Sequence, residues 1–175
     1  MNYANIKYND IANGEGIRTS LFVSGCRNNC PGCFNKEAQN FNYGEEFADE
    51  IMNKIIDSVN DNYHSGITLL GGDPMEPENA KVLCKLAEKF KNKYMNSKSI
   101  WCYTGYTYEF INGLDRSDYR RKLLAFVDVL VDGPFIEAEK DITLRFKGSR
   151  NQRIIQFDKG LAKDGTMIRY LKIIG

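Results

Sequence analysis

The chain has 175 residues, of which 42% are hydrophobic and 27% are charged, and its formal net charge is +1. The length predicts a single domain, residues 1–175. The balanced charge gives no reason to expect nucleic acid or an anionic membrane as a partner. No apolar run approaches the length of a membrane span, and the first seven residues lack the basic and then apolar profile of a secretion signal.

Strand-like apolar runs alternate with amphipathic helical stretches along the chain. The predicted strands are residues 18–23, 67–70, 99–103, 128–131 and, with weaker patterns, 153–157 and 167–174. The predicted helices are residues 47–59, 76–90 and about 117–126. This alternation is typical of βαβ units in a parallel sheet, so we expect an α/β fold. The chain is shorter than the about 250 residues of an eight-stranded β/α barrel, so its about five to six mainly parallel strands could form at most a partial, open barrel.

Four consecutive predicted strands end in distinctive segments. These segments are the loop of residues 24–35, then Gly71-Gly72-Asp73-Pro74, Thr104-Gly105 and Asp132-Gly133-Pro134. Ligands bind beyond the carboxyl ends of the strands in parallel α/β sheets. We therefore expect the four segments to meet at one rim of the sheet and to form a binding site there.

The first of these segments, residues 24–35, carries Cys26, Cys30 and Cys33 in the spacing C-x3-C-x2-C and is called the cysteine loop below. A structural zinc site is normally closed by four protein ligands, and an ordinary electron-transfer cluster also takes four cysteines. The single histidine, His64, is remote in sequence. Three thiolates on a 4Fe–4S cluster would leave one iron open to a small molecule. A zinc knuckle, or three thiols in a core, remains the alternative.

The chain has five cysteines in all, an odd number with three of them clustered. This argues against a disulfide framework and for a reducing compartment, so we expect a cytoplasmic protein. Cys84 falls in a predicted helix and Cys102 in a predicted strand, where we expect both to be small buried apolar side chains.

The cysteine spacing resembles that of the radical S-adenosylmethionine (SAM) enzymes. The resemblance implies a partial barrel of the radical SAM type, with SAM bound to the open iron through its amino and carboxylate groups. It also implies reductive cleavage of SAM to a 5′-deoxyadenosyl radical. Within that superfamily the chain resembles the glycyl-radical-enzyme activases, and in particular the branch that serves the anaerobic ribonucleoside-triphosphate reductase. The segments that carry this resemblance are residues 13–19, 30–35, 71–74, 101–107, 128–135 and 145–153.

Membership of this branch implies an oxidoreductase that modifies another protein. Its substrate would be one glycine in the large subunit of the reductase, and a low-potential donor such as flavodoxin or ferredoxin would supply the electron. Two alternatives stay open. One is an activase for another enzyme such as pyruvate formate-lyase, although those chains are generally longer. The other is a non-catalytic iron–sulfur or zinc binding module.

The resemblance also suggests which residues bind SAM. Gly71, Gly72 and Asp73 look like the glycine-rich segment that holds the amino group of SAM, with Asp73 accepting a hydrogen bond from the ammonium. Gly32, before the ligand Cys33, stands where many members have an aromatic residue near the adenine.

Three further assignments are less specific. Phe34 either contacts the adenine in place of that aromatic residue or lies in the core. Thr104 and Asp132 either bind the ribose and the surroundings of the SAM carboxylate or act as turn and cap residues.

Overall fold

The computed structural model describes residues 1–161 and 167–174. Its strands are β1 (Asn2–Asp10), β2 (Ile17–Val23), β3 (Glu45–Glu46), β4 (His64–Gly71), β5 (Ser99–Tyr103), β6 (Val129–Asp132), β7 (Arg153–Leu161) and β8 (Met167–Ile174). Its α-helices are α1 (Asp49–Asp57), α2 (Pro77–Tyr94), α3 (Tyr108–Gly113) and α4 (Tyr119–Phe126). None of these helices combines the length and the apolar character needed to cross a membrane.

The described strands form one mixed sheet in the order β3-β1-β2-β4-β5-β6-β7-β8. The central strands β2, β4, β5 and β6 pair in parallel, as their alternation with helices predicts. The outer strands β1, β3, β7 and β8 pair antiparallel. The described sheet thus has eight strands, against the five to six of the sequence analysis, and its closure into a partial barrel stays a prediction.

The two outer pairs differ from the sequence prediction for physical reasons. β1 was not predicted because its side chains are mostly polar and largely exposed, so it lacks the apolar run of a central strand. β7 turns back beside β6 because the segment between them, residues 133–152, contains a 3₁₀ turn but no α-helix. A parallel connection usually requires a helical crossover.

The two faces of the sheet are packed differently. One row of residues paired across adjacent strands lies in the main core with the helices: Leu21, Leu69, Cys102, Leu130 and Ile155. On the opposite face, Trp101, Val129, Val131 and Ile154 form a smaller cluster against Phe146. The helices therefore pack against one face of the sheet, and the other face is covered by side chains of the strands themselves and by loops.

Arg18 is the largest fully buried side chain and lies on this second face. Its guanidinium donates to Thr68 Oγ1 at 2.8 Å and to the backbone oxygens of Ile67 and Ser99 at 2.7 and 2.8 Å. It also lies over the Trp101 ring, 5.6 Å from the ring centroid. Burial lowers the pKa of Arg18 to about 10. The side chain links β2, β4 and β5 through oxygen acceptors.

We predict that Arg18→Ala lowers the free energy of unfolding by about 3–5 kcal/mol, because it leaves a cavity and several buried acceptors without a donor. Arg116→Ala is the matched control, since Arg116 is exposed and surface substitutions have small effects. Urea denaturation followed by circular dichroism measures both. Equal stability of the two variants would contradict the role given to Arg18.

Candidate metal centre

The carboxyl ends of β2, β4, β5 and β6 surround one open cavity of about 520 Å³, called the rim cavity. All three cysteines of the cysteine loop line it. The other predicted site residues that line it are Gly32, Phe34, Gly71, Gly72, Asp73 and Thr104. The parallel strands therefore bring together segments that lie far apart in sequence, as expected.

Cys26, Cys30 and Cys33 are free thiols and partly exposed. In the described part of the chain, no three Cys, His, Asp or Glu side chains converge closely enough for a single metal ion. A 4Fe–4S cluster does not require that convergence, because each thiolate binds a different iron. Soft sulfur donors at an accessible cavity fit an iron–sulfur cluster. Cys84 and Cys102 are buried, as predicted.

The cysteine loop is fixed to the protein by backbone hydrogen bonds at its start. Gly25 N donates to Ala38 O at 2.7 Å, and Cys26 N donates to Gln39 O at 3.1 Å. The side-chain amide of Asn79, on α2, donates to Ser24 O at 3.0 Å and to Gly25 O at 3.3 Å. The sequence analysis did not predict this role of Asn79, because an asparagine six residues after Asp73 belongs to no recognisable motif.

Gly71 and Gly72 are required by contacts within the protein. Gly71 has φ +111°, and a Cβ there would lie 2.6 Å from the backbone N of Val23. A Cβ on Gly72 would lie 2.5 Å from Gly25 O. The two glycines thus let the end of β4 pack directly against β2 and the base of the cysteine loop, a role that the sequence analysis did not predict.

Asp73 is buried, with 1% of its surface exposed. Its Oδ1 accepts from Met75 N and Thr104 Oγ1, both at 2.8 Å. Its Oδ2 accepts from Asn28 Nδ2 at 2.7 Å and Gly105 N at 2.9 Å. Burial raises the pKa of Asp73 to about 6, although these hydrogen bonds oppose the shift.

These four donors fill the lone-pair positions of the Asp73 carboxylate. A contact between Asp73 and the ammonium of SAM, which stays a prediction, would have to displace one of them. The donors come from the cysteine loop, from the end of β5 and from the turn after β4. Asp73 therefore joins the cysteine loop to the neighbouring strand ends, and the Thr104 hydroxyl is part of the same network.

Asp132 does not line the rim cavity. Both of its oxygens accept hydrogen bonds from Arg153, and Oδ2 also accepts from Tyr108 N at 2.7 Å. Arg153 in turn binds both oxygens of Glu109. This geometry matches the turn and cap alternative: Asp132 ties the start of α3 and the start of β7 to the end of β6.

The mouth of the rim cavity carries exposed apolar side chains. Phe34 and Ile142 are each 91% exposed and both line the cavity. The alternative that Phe34 lies in the core is therefore wrong. Deeper in the cavity, the Tyr103 hydroxyl is buried and has no hydrogen-bond partner in the described structure. Tyr103 was missed because a tyrosine in a strand is ordinary.

Comparison with known proteins agrees with this site. The protein-family model for a 4Fe-4S single cluster domain matches residues 12–155. A protein of Haemophilus influenzae is 39% identical over 159 residues, which cover 90% of this chain and 99% of the relative. A protein of Escherichia coli K12 is 38% identical over 154 residues, covering 87% and 96%. One of Enterobacteria phage T4 is 34% identical over 165 residues, covering 93% and 99%.

All three relatives carry the same name, anaerobic ribonucleoside-triphosphate reductase-activating protein. The matches span nearly the whole of each relative and most of this chain, including the cysteine loop and every strand end at the rim. The chain therefore belongs to the family of anaerobic ribonucleoside-triphosphate reductase-activating proteins and contains a 4Fe-4S single cluster domain.

Proposed function

We propose that this protein is a radical SAM activase that creates a glycyl radical on the large subunit of an anaerobic ribonucleoside-triphosphate reductase. The observation that carries the proposal is that three free cysteines share one open cavity with the Gly71–Asp73 segment. The names of the relatives support the reductase, not pyruvate formate-lyase, as the target. With the cluster and SAM bound, the site supplies the 5′-deoxyadenosyl radical that removes a hydrogen from glycine.

Cys26, Cys30 and Cys33 would hold the cluster, leaving one iron for SAM. The other two cysteines are engaged elsewhere: Cys84 Sγ donates to Tyr119 O at 3.2 Å, and Cys102 lies within the core of the sheet. For the SAM ammonium we favour backbone carbonyls at the end of β4, since the Asp73 oxygens already have donors. The unpaired Tyr103 hydroxyl is available for a polar group of SAM.

The glycine of another protein must enter the rim cavity to meet the radical. Phe34 and Ile142 stand at its mouth with almost their whole side chains in solvent, which is unfavourable for large apolar groups unless a partner covers them. We assign this mouth to the glycine-bearing loop of the reductase. A low-potential donor such as flavodoxin or ferredoxin would supply the electron, in a reducing cytoplasm.

The first test concerns the cluster. Anaerobic reconstitution should give close to four irons and four sulfides per chain, as the 4Fe-4S domain implies. Alanine at Cys26, Cys30 or Cys33 should abolish the cluster, whereas Cys84→Ala and Cys102→Ala should retain it. Iron and sulfide analysis with electron paramagnetic resonance measures the content. A protein that takes up zinc and assembles no cluster would refute the proposal.

The second test concerns Asp73. Asp73→Asn should speed the loss of cluster iron to a chelator by about tenfold or more, because the new amide nitrogen faces the Asn28 and Gly105 donors. Asp141→Asn is the control, since Asp141 also lines the cavity but bonds Arg150 and Thr143. If the variant keeps its cluster and loses SAM affinity instead, Asp73 contacts the ammonium directly.

The third test concerns the protein substrate. Ile142→Ser should weaken binding of the reductase large subunit by about tenfold, because it removes an apolar anchor at the mouth. The yield of glycyl radical should fall with it, while cleavage of SAM driven by dithionite continues. Tyr63→Ser is the control, since Tyr63 is 81% exposed and precedes the amino end of β4, whereas the rim cavity lies at the carboxyl ends of the strands. Equal radical yields from both variants would show that Ile142 does not contact the reductase.

A control on the substrate itself completes this test. Replacing the target glycine of the reductase by alanine should abolish the radical signal without abolishing binding. Pyruvate formate-lyase, offered instead, should give little or no radical. Efficient activation of that enzyme would overturn the choice of target and leave the radical chemistry standing.

A further inference from the structure

Glu76 is a buried carboxylate that contacts the cysteine loop. It immediately precedes α2, and its side chain has no exposed surface. Its Oε1 accepts a hydrogen bond from the backbone N of Arg27 at 2.7 Å. That N–H belongs to the peptide bond that follows Cys26, the first of the three cysteines. Glu76 therefore fixes the backbone next to Cys26, a proposed cluster ligand.

Glu76 has its charge balanced by the side chain of Arg27, the residue that follows Cys26 in the cysteine loop. Its Oε2 accepts from Arg27 Nη1 at 2.5 Å, and the same guanidinium donates to both oxygens of Glu78, at 2.9 and 2.6 Å. The side chains of Arg27 and Glu78 are each 53% exposed. One half-exposed cation thus serves two carboxylates, of which only Glu76 is buried.

Burial makes the two carboxylates unequal in their effect on the cysteine loop. Water and salt screen the charge of Glu78, whereas the charge of Glu76 acts through the protein interior, where screening is weaker. The nearby carboxylate of Asp73 is buried as well. The four hydrogen-bond donors to Asp73 are all neutral groups. Arg27 is therefore the cation that pairs directly with one of these two buried acids, and it does so at Glu76.

We propose that Glu76 is a positioning residue of the cluster site that also holds the reduction potential of the cluster low, with Arg27 as its counter-charge. The proposal rests on the function proposed above, in which Cys26 ligates the cluster. Reduction adds one electron to the cluster, and a buried negative charge beside a ligand opposes that addition. Hydrogen bonds and net charge around a cluster are known to set its potential.

Opposite shifts are expected when the two partners are neutralised separately. Glu76→Gln keeps the size of the side chain and a carbonyl oxygen for Arg27 N but removes the charge, so the midpoint potential should become less negative. Arg27→Gln leaves Glu76 without its cation, so the potential should become more negative. The double variant should have a potential between those of the two single variants, and nearer to that of Glu76→Gln, because the half-exposed charge of Arg27 is screened more strongly than the buried charge of Glu76.

The measurement is a redox titration of the reconstituted cluster followed by electron paramagnetic resonance, without SAM and without the reductase. Glu78→Gln is the matched control, because Glu78 binds the same guanidinium but is half exposed and, unlike Glu76, accepts no hydrogen bond from the backbone N of Arg27. Its shift should be clearly smaller than that of Glu76→Gln.

Each outcome decides the proposal. Unchanged potentials in Glu76→Gln and Arg27→Gln, or equal shifts in Glu76→Gln and Glu78→Gln, overturn it. If Glu76→Gln does not retain a cluster, the sign of the shift in Arg27→Gln decides alone. Failure of the unsubstituted protein to assemble any cluster would instead refute the function proposed above, so the two failures are distinguishable.

Discussion

The loop that carries Cys26, Cys30 and Cys33 has little regular structure and is held in place by side chains of the turn after β4 and of the first turn of α2. Asp73 binds Asn28, and Glu76 binds the backbone of Arg27. Asn79 binds the carbonyl oxygens of Ser24 and Gly25. Buried hydrogen bonds of this kind are costly to leave unmade, so the loop and the helix start form one unit. The geometry of any group bound by the three thiolates depends on this unit.

The remainder of the fold supports that unit and leaves the rim cavity open beside it. On the second face of the sheet, Arg18 and the smaller cluster of Trp101 and Phe146 are closely packed, so side chains fill the space beneath the rim. The roomy cavity lies where the parallel strands end. Because its mouth is open and carries exposed apolar side chains, the cavity suits a segment of another protein as the substrate better than an enclosed small-molecule substrate. This agrees with membership of a family of activating proteins.

Charged groups near the site divide into two kinds. Asp132 and Arg153 neutralise each other in a network that joins β6, β7 and α3, and this network serves the architecture. Asp73 and Glu76 lie below the cysteine loop, where their charges act on whatever the thiolates hold. In the sequence Asp73 and Asp132 looked alike, as aspartates where a strand ends, and only their partners distinguish a structural role from an electrostatic one.

The sequence by itself determined the cysteine spacing, the four parallel strands and the rim at which their ends meet. These features are local, since ligand spacing, apolar runs and strand–helix alternation are each set by residues within a few positions of one another. The tertiary structure alone decided that Asp73 is saturated by four donors, that Asp132 pairs with Arg153, and that Glu76 is buried beside Cys26. It also decided that β7 runs antiparallel to β6. Each of these depends on contacts between residues 20 to 50 positions apart, which the three-dimensional packing brings together and no short sequence pattern records.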